Sequence, residues 1–105
     1  MPNPLKITKN TTIYALLDST DNKIKYIGKT VKSLPARLAD HIYEVKRENN
    51  IRTKWIKSLL EKELKPNIIE IDSCTWRGSK TKEIYWIRKM SRKYKLLNKH
   101  YNEKI

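Results

Sequence analysis

With 105 residues, 24 Lys and Arg against 11 Asp and Glu, and a formal net charge of +13, the chain is long enough for one modest core and short for a catalytic core joined to a separate binding domain. The excess of positive charge points to a polyanionic partner, either nucleic acid or an acidic membrane surface. No apolar run reaches membrane-span length and the N-terminal MPNPLKITKN lacks a signal peptide's hydrophobic region, so nucleic acid is the expected partner and the cytoplasm the expected compartment. The single Cys74 excludes an internal disulfide and a multi-cysteine zinc site.

Residues 1–10 contain Pro2 and Pro4 without periodicity and are read as a loose arm before a single domain at 11–105. Two short runs rich in isoleucine and tyrosine, Thr12-Ile13-Tyr14 and Lys25-Tyr26-Ile27-Gly28, flank the polar cluster Asp18-Ser19-Thr20-Asp21-Asn22. This pattern predicts a β-hairpin, and period-2 alternation can bring Tyr14 and Tyr26 to one face. A helix is predicted from Ser33, with Pro35 in its first turn, where backbone donors lack partners in any case. Leu34, Leu38, Ile42 and Val45 make its core stripe, and Arg37, His41 and Glu44 a second stripe on an adjacent face. Asn49-Asn50 breaks this helix. A second is predicted over residues 52–64, burying Trp55, Ile56, Leu59, Leu60 and Leu64 and leaving Arg52, Lys54, Lys57 and Lys62 in water. Asn67 to Asp72 predicts a third strand, with Cys74 packed as a small hydrophobe at its end. A turn at Trp76 to Ser79 precedes a third helix over 80–93 with Ile84, Ile87, Met90 and Tyr94 inward, and Leu96-Leu97-Asn98 closes the domain.

Ile13-Tyr14, eleven residues, then Tyr26-Ile27-Gly28 resembles the paired motif that names the GIY-YIG nuclease superfamily. Thr12 stands where the family's first glycine would be. Arg37 on the next helix, Glu83 on a distant one and Asn98 in the Leu-Leu-Asn ending also fall where the family pattern puts them. The resemblance implies an α+β fold, a small three-stranded antiparallel sheet flanked by helices in the order β-β-α-α-β-α. It implies a divalent-metal-dependent endonuclease that hydrolyses phosphodiester bonds.

Phosphodiester hydrolysis needs a water nucleophile, an acceptor for its proton, positive charge at the phosphoryl oxygens and help for the leaving oxygen. By resemblance, Tyr14 is the general base and Tyr26 assists it or places the water. Lys29, Arg37 and a metal ion are expected to lower the ordinary phenol pKa of Tyr14. Arg37 carries a fixed fork of donors that matches two phosphate oxygens, and its implied role is to clamp the scissile phosphate. His41, one turn on, could hold Arg37 or the phosphate. Glu83, the one acidic residue between Trp76 and His100, is the implied ligand for Mg²⁺ or Mn²⁺, with waters and phosphate oxygens completing the shell. Taken alone it would read as a surface carboxylate paired with Lys80 or Arg88. Asn98 is implied to brace the site by hydrogen bonding.

Lys29, Arg37, Arg52, Lys54, Lys57, Arg77, Lys80 and Arg88 are the expected contacts to nucleic acid, mostly to its backbone. Duplex DNA is the expected substrate, with RNA and branched DNA left open. Sequence specificity is expected to be low or supplied by a partner or a homodimer, and a small basic nuclease of this kind fits a phage or mobile element, acting in the host cytoplasm. The alternative is a non-catalytic basic nucleic-acid-binding or host-interaction protein that retains the nuclease fold.

Overall fold

In the computed structural model of the protein, which describes residues 10–98, the two Ile/Tyr runs form β1 (Asn10–Leu17) and β2 (Ile24–Thr30). The arm expected at 1–10 lies outside the described residues except for Asn10, the first residue of β1. The turn between the strands is made by its own side chains. Asp18 Oδ1 accepts from the Thr20 backbone at 2.9 Å, Asp21 Oδ1 accepts from the Lys23 backbone at 2.9 Å, and Asn22 takes a left-handed φ of 61°, which asparagine tolerates better than most residues. The second oxygen of Asp18 accepts the Trp55 indole N–H at 2.9 Å, tying the turn to a helix.

The third strand, β3 (Asn67–Thr75), pairs antiparallel with the other side of β1, giving the order β2-β1-β3. It runs three residues past the expected end because the first half of β1 needs partners: Asn10, Thr11 and Thr12 pair with Thr75, Cys74 and Ser73. Beside Leu16 and Leu17, β2 carries one extra residue, Lys25. This bulge lets Ile24 and Ile27 share one face while Tyr26 takes the other.

The central strand is covered on both sides. Tyr14 and Leu16 pack with Ile56, Leu34, Leu38, Ile42 and Trp55 of α1 (Leu34–Glu44) and α2 (Ile51–Glu61). Ile13 and Ala15 pack with Ile27, Leu96 and, from α3 (Ser79–Ser91), Ile87, Met90 and Trp86. Ser33 caps α1 by accepting from the Ala36 backbone, and Asn50 and Thr53 form a reciprocal cap on α2, so sequence punctuation sets both starts. A 3₁₀ turn, Trp76–Gly78, leads into α3. Trp86 is drawn inward by a 2.9 Å hydrogen bond to Asp72, whereas Ile84, expected inward, lines a surface groove with Tyr85, Arg88 and Arg92.

Candidate active site

The register of the hairpin places Tyr14 directly opposite Gly28. The phenol ring lies across that glycine: a Cβ at Gly28 would sit 2.5 Å from Tyr14 Oη and 2.6 Å from Cζ. The glycine is therefore required by close approach rather than by backbone conformation, since no glycine among the described residues has positive φ. Thr12, in the family's first glycine position, is half-buried in the strand and pairs with Thr30 and Ser73.

Arg37 and His41 reach the phenol from α1. His41 Nε2 lies 2.6 Å from Tyr14 Oη, and Arg37 Nε donates to the same oxygen at 3.1 Å. Tyr14 and His41 are both fully buried. The Tyr26 ring centroid is 6.5 Å from that of Tyr14 and 5.6 Å from that of His41, the latter in an edge-on contact. So the two phenols, the guanidinium and the imidazole converge.

Behind them stands Glu44, which sequence reading placed on the Arg37/His41 stripe but gave no role. Its Oε2 meets Arg37 Nη1 at 3.4 Å, and its Oε1 meets Arg52 Nη2 at 3.1 Å and faces His41 Nδ1 at 3.4 Å. Arg52, expected in water, turns inward instead. It bridges Glu44 and Glu48 and lies 5.4 Å from the centroid of the Tyr26 ring. The signal for Glu44 was its spacing, three residues after His41 and seven after Arg37, which puts it on their helix face.

Electrostatically the pocket favours neutral groups. Burial, reinforced by the neighbouring Tyr26, raises the Tyr14 pKa well above the ordinary phenol value, and Arg37 opposes this only in part. Without a metal ion, the protein's own cations do not make phenolate accessible, as Lys29 and Arg37 were expected to help do. Desolvation outweighs one guanidinium, because a phenolate here would lose its hydration. Burial, together with Arg37 and Arg52, lowers His41 to about 3. At neutral pH His41 is therefore an uncharged imidazole and Tyr14 a phenol.

At the N-terminal end of α3, Lys29 Nζ donates to Ser79 Oγ at 3.3 Å and lies 4.8 Å from the Trp76 ring centroid. Burial raises the Glu83 pKa, opposed by Lys29 and Lys80; burial also raises Tyr26, opposed by Arg52, with the Glu83 charge adding to the rise. Glu83 is thus electrostatically coupled to Tyr26. A partly desolvated carboxylate fits a divalent cation that would compensate its charge. No cluster of three or more His, Cys, Asp or Glu side chains suited to a metal occurs among the described residues, so the fit is to the mode with one carboxylate and water.

Asn98 closes on β2 from the chain's end. Its Oδ1 accepts from Ile27 N at 3.1 Å and its Nδ2 donates to Ile27 O at 2.8 Å, bracing the residue between Tyr26 and Gly28. Lys54, Lys57, Arg77, Lys80 and Arg88 are exposed and lie outside this cluster. Lys54 and Lys57 share a groove with Lys46 and Arg47, two cations that sequence reading did not single out.

A basic α+β domain that brings two phenols, a guanidinium and an imidazole together beside one hairpin, with Glu83 electrostatically coupled to one of the phenols, has the makings of a nuclease-type site. The chain belongs to the GIY-YIG family: the family model for the GIY-YIG catalytic domain matches residues 10–102, placing the protein in a family of endonucleases that act on nucleic acid. No curated protein and no solved structure matches it at a significant level. No helix among the described residues is long and apolar enough to cross a membrane.

Proposed function

We propose that the protein is a divalent-metal-dependent endonuclease that hydrolyses phosphodiester bonds of duplex DNA, with low sequence specificity of its own or specificity supplied by a partner or a second copy. The observation that carries this reading is the Tyr14 hydroxyl, held at once by His41 and Arg37 in a chain that matches the catalytic-domain family along nearly its whole length.

Tyr14 donates its O–H to His41 and accepts from Arg37. Tyr14 is fully buried in the free chain, so its hydroxyl has to be uncovered when substrate binds; as a water then attacks phosphorus, its proton passes to Tyr14 Oη while the phenol's own proton passes to His41 Nε2. No free phenolate has to form, which suits a tyrosine whose pKa is raised; the imidazolium formed instead is opposed by burial, Arg37 and Arg52, so the nearby Glu44 carboxylate has to offset its charge. Arg37 Nε and Nη1 are engaged by Tyr14 and by the Asp40 and Glu44 carboxylates, which leaves Nη2 for a phosphoryl oxygen. The phosphorus–oxygen bond to the leaving group then breaks, and that oxygen takes a proton from solvent. Glu83 would hold Mg²⁺ or Mn²⁺, which supplies Lewis-acid stabilisation of charge on the phosphate and leaving oxygens when bound. Tyr26 fixes the position of the water, and Asn98 fixes that of Tyr26 through the backbone of Ile27. The exposed cations Lys54, Lys57, Arg77, Lys80 and Arg88 take the DNA backbone without reading bases.

The test is nicking of supercoiled plasmid with Mg²⁺ by the wild type, Glu83→Ala and Tyr14→Phe. The wild type should nick and both variants should lose at least about 100-fold in rate, the scale of a removed acid–base group. If all three shift DNA equally on a gel and none cuts it with any divalent metal, the protein is a binder only.

A further inference from the structure

The buried imidazole has two nitrogens, and only one assignment of its proton satisfies the neighbours. Tyr14 lies 2.6 Å from Nε2, whereas Glu44 Oε1 lies 3.4 Å from Nδ1. A carboxylate can only accept. With the proton on Nε2, the Nδ1 lone pair would face the Glu44 oxygen, and Tyr14 Oη would receive donors from both His41 and Arg37 while its own hydrogen lacked a buried acceptor. With the proton on Nδ1, the N–H lies beside the Glu44 carboxylate, whose charge favours it, and Nε2 is free to accept from Tyr14. Nδ1 makes no hydrogen bond among the described residues, so the Glu44 oxygen 3.4 Å away acts on it as a charge and not as a bonded acceptor.

From this we infer that Glu44 is a positioning residue for the reaction. It holds His41 in the Nδ1–H tautomer, so that Nε2 faces Tyr14 as a proton acceptor, and it is the counter-charge for the imidazolium formed when that proton arrives. Arg52 fixes the carboxylate in turn, its Nη2 lying 3.1 Å from the same Oε1 that faces the ring. The arrangement Tyr14–His41–Glu44 thus has the logic of a nucleophile–histidine–carboxylate triad, with the half-buried acid setting the tautomer rather than taking a proton itself. The assignment rests on the proposed proton path from Tyr14 to His41 for its consequence in catalysis, but not for its geometry.

Nitrogen-15 spectra of the full chain with labelled histidine, with His41 assigned by its loss in His41→Gln, read the tautomer directly. The expected result is a protonated Nδ1 and an unprotonated Nε2. In Glu44→Gln both nitrogens should move toward the average of two tautomers, the nicking kcat should fall by about 100-fold with KM little changed, and Glu44→Asp should recover part of the rate. A protonated Nε2 in the wild type overturns the inference, as does a Glu44→Gln protein with both tautomer and rate unaltered. Should Glu44→Gln fail to fold, the wild-type spectrum still decides. Should the wild type show the expected tautomer but nick no DNA, the tautomer assignment stands and the nuclease reading alone falls.

Discussion

Substituting Gly28 by alanine is the sharpest available perturbation of the site, because it adds one methyl group and removes nothing. The new Cβ would lie 2.5 Å from Tyr14 Oη, 2.6 Å from Cζ and 3.0 Å from Cε2, whereas ordinary contact begins near 3.4 Å. The ring must therefore retreat by about 0.9 Å, the difference between 3.4 and 2.5 Å. It has little room to do so, since the phenol is fully buried and its oxygen is pinned at 2.6 Å to His41 and 3.1 Å to Arg37. Overpacking of this kind costs about 1–3 kcal/mol, which for a domain of this size lowers Tm by roughly 5–20 °C. A displacement near 1 Å in a reacting group costs on the order of 100-fold in rate. Differential scanning calorimetry and plasmid nicking measure the two effects separately. The decisive comparison is a double-mutant cycle. In a Tyr14→Ala background the clash is gone, so Gly28→Ala should cost less than about 0.5 kcal/mol there, within the scatter expected for uncoupled sites. If alanine is tolerated equally in both backgrounds, the phenol does not lie over the glycine and the geometry of the site is wrong.

Asn98→Ala removes both hydrogen bonds to Ile27 and should destabilise the protein by about 1–3 kcal/mol, with hydrogen exchange at the Ile27 amide accelerated; unchanged protection there would refute the bracing role. His41 is depressed to about 3 in the folded state against 6.5 when unfolded. Its contribution to stability is present above pH 6.5 and is lost as pH falls toward 3, by up to several kcal/mol, so a His41→Gln variant should show a shallower fall of Tm with acidification and parallel curves would count against it. Lys54→Ala combined with Lys57→Ala should weaken DNA binding and reduce the slope of log K against log salt by roughly 0.9 for each phosphate that is no longer neutralised. Arg52→Ala should leave that slope nearly intact while lowering kcat and Tm, because its charge is directed at Glu44, Glu48 and the Tyr26 ring; a full unit change in its slope would restore Arg52 to the DNA surface.

The hairpin, the three helices and the third strand were legible because their signals are local. Isoleucine and tyrosine flanking an Asp/Asn cluster, or leucines at helical spacing, carry their own explanation. The convergence of Tyr14, Arg37 and His41 was legible only through a motif, since the side chains that meet are 23 and 27 residues apart in sequence. What escaped was what depends on partners. The extra length of β3 follows from the unpaired first half of β1, and the inward turn of Arg52 from two carboxylates beside it. Trp86 lies against the core because Asp72 is there to receive its N–H. The proton affinity that the protein's own groups give Tyr14 is raised and not lowered because sequence counts the cations near a phenol but not the water it has lost. Even the reason for Gly28 needed the strand register, without which nothing says which ring lies above it.

The strand that bears Tyr14 is sandwiched between two helical layers, one carrying Arg37 and His41 and the other Glu83. Neighbouring side chains on a strand point to opposite sides. A single inserted or deleted residue ahead of Tyr14 in β1 would therefore hand the phenol to the layer of α3 and present an isoleucine or alanine to the guanidinium. The turn at Asp18 to Lys23, by contrast, is anchored to α2 at Asp18, which accepts the Trp55 N–H, and is exposed from Thr20 to Lys23. Length variation among natural or engineered versions of this domain should accumulate in that turn and be purged from the eight residues of β1, so deep insertion scanning would trace the boundary between tolerant and intolerant positions along a few ångströms of backbone.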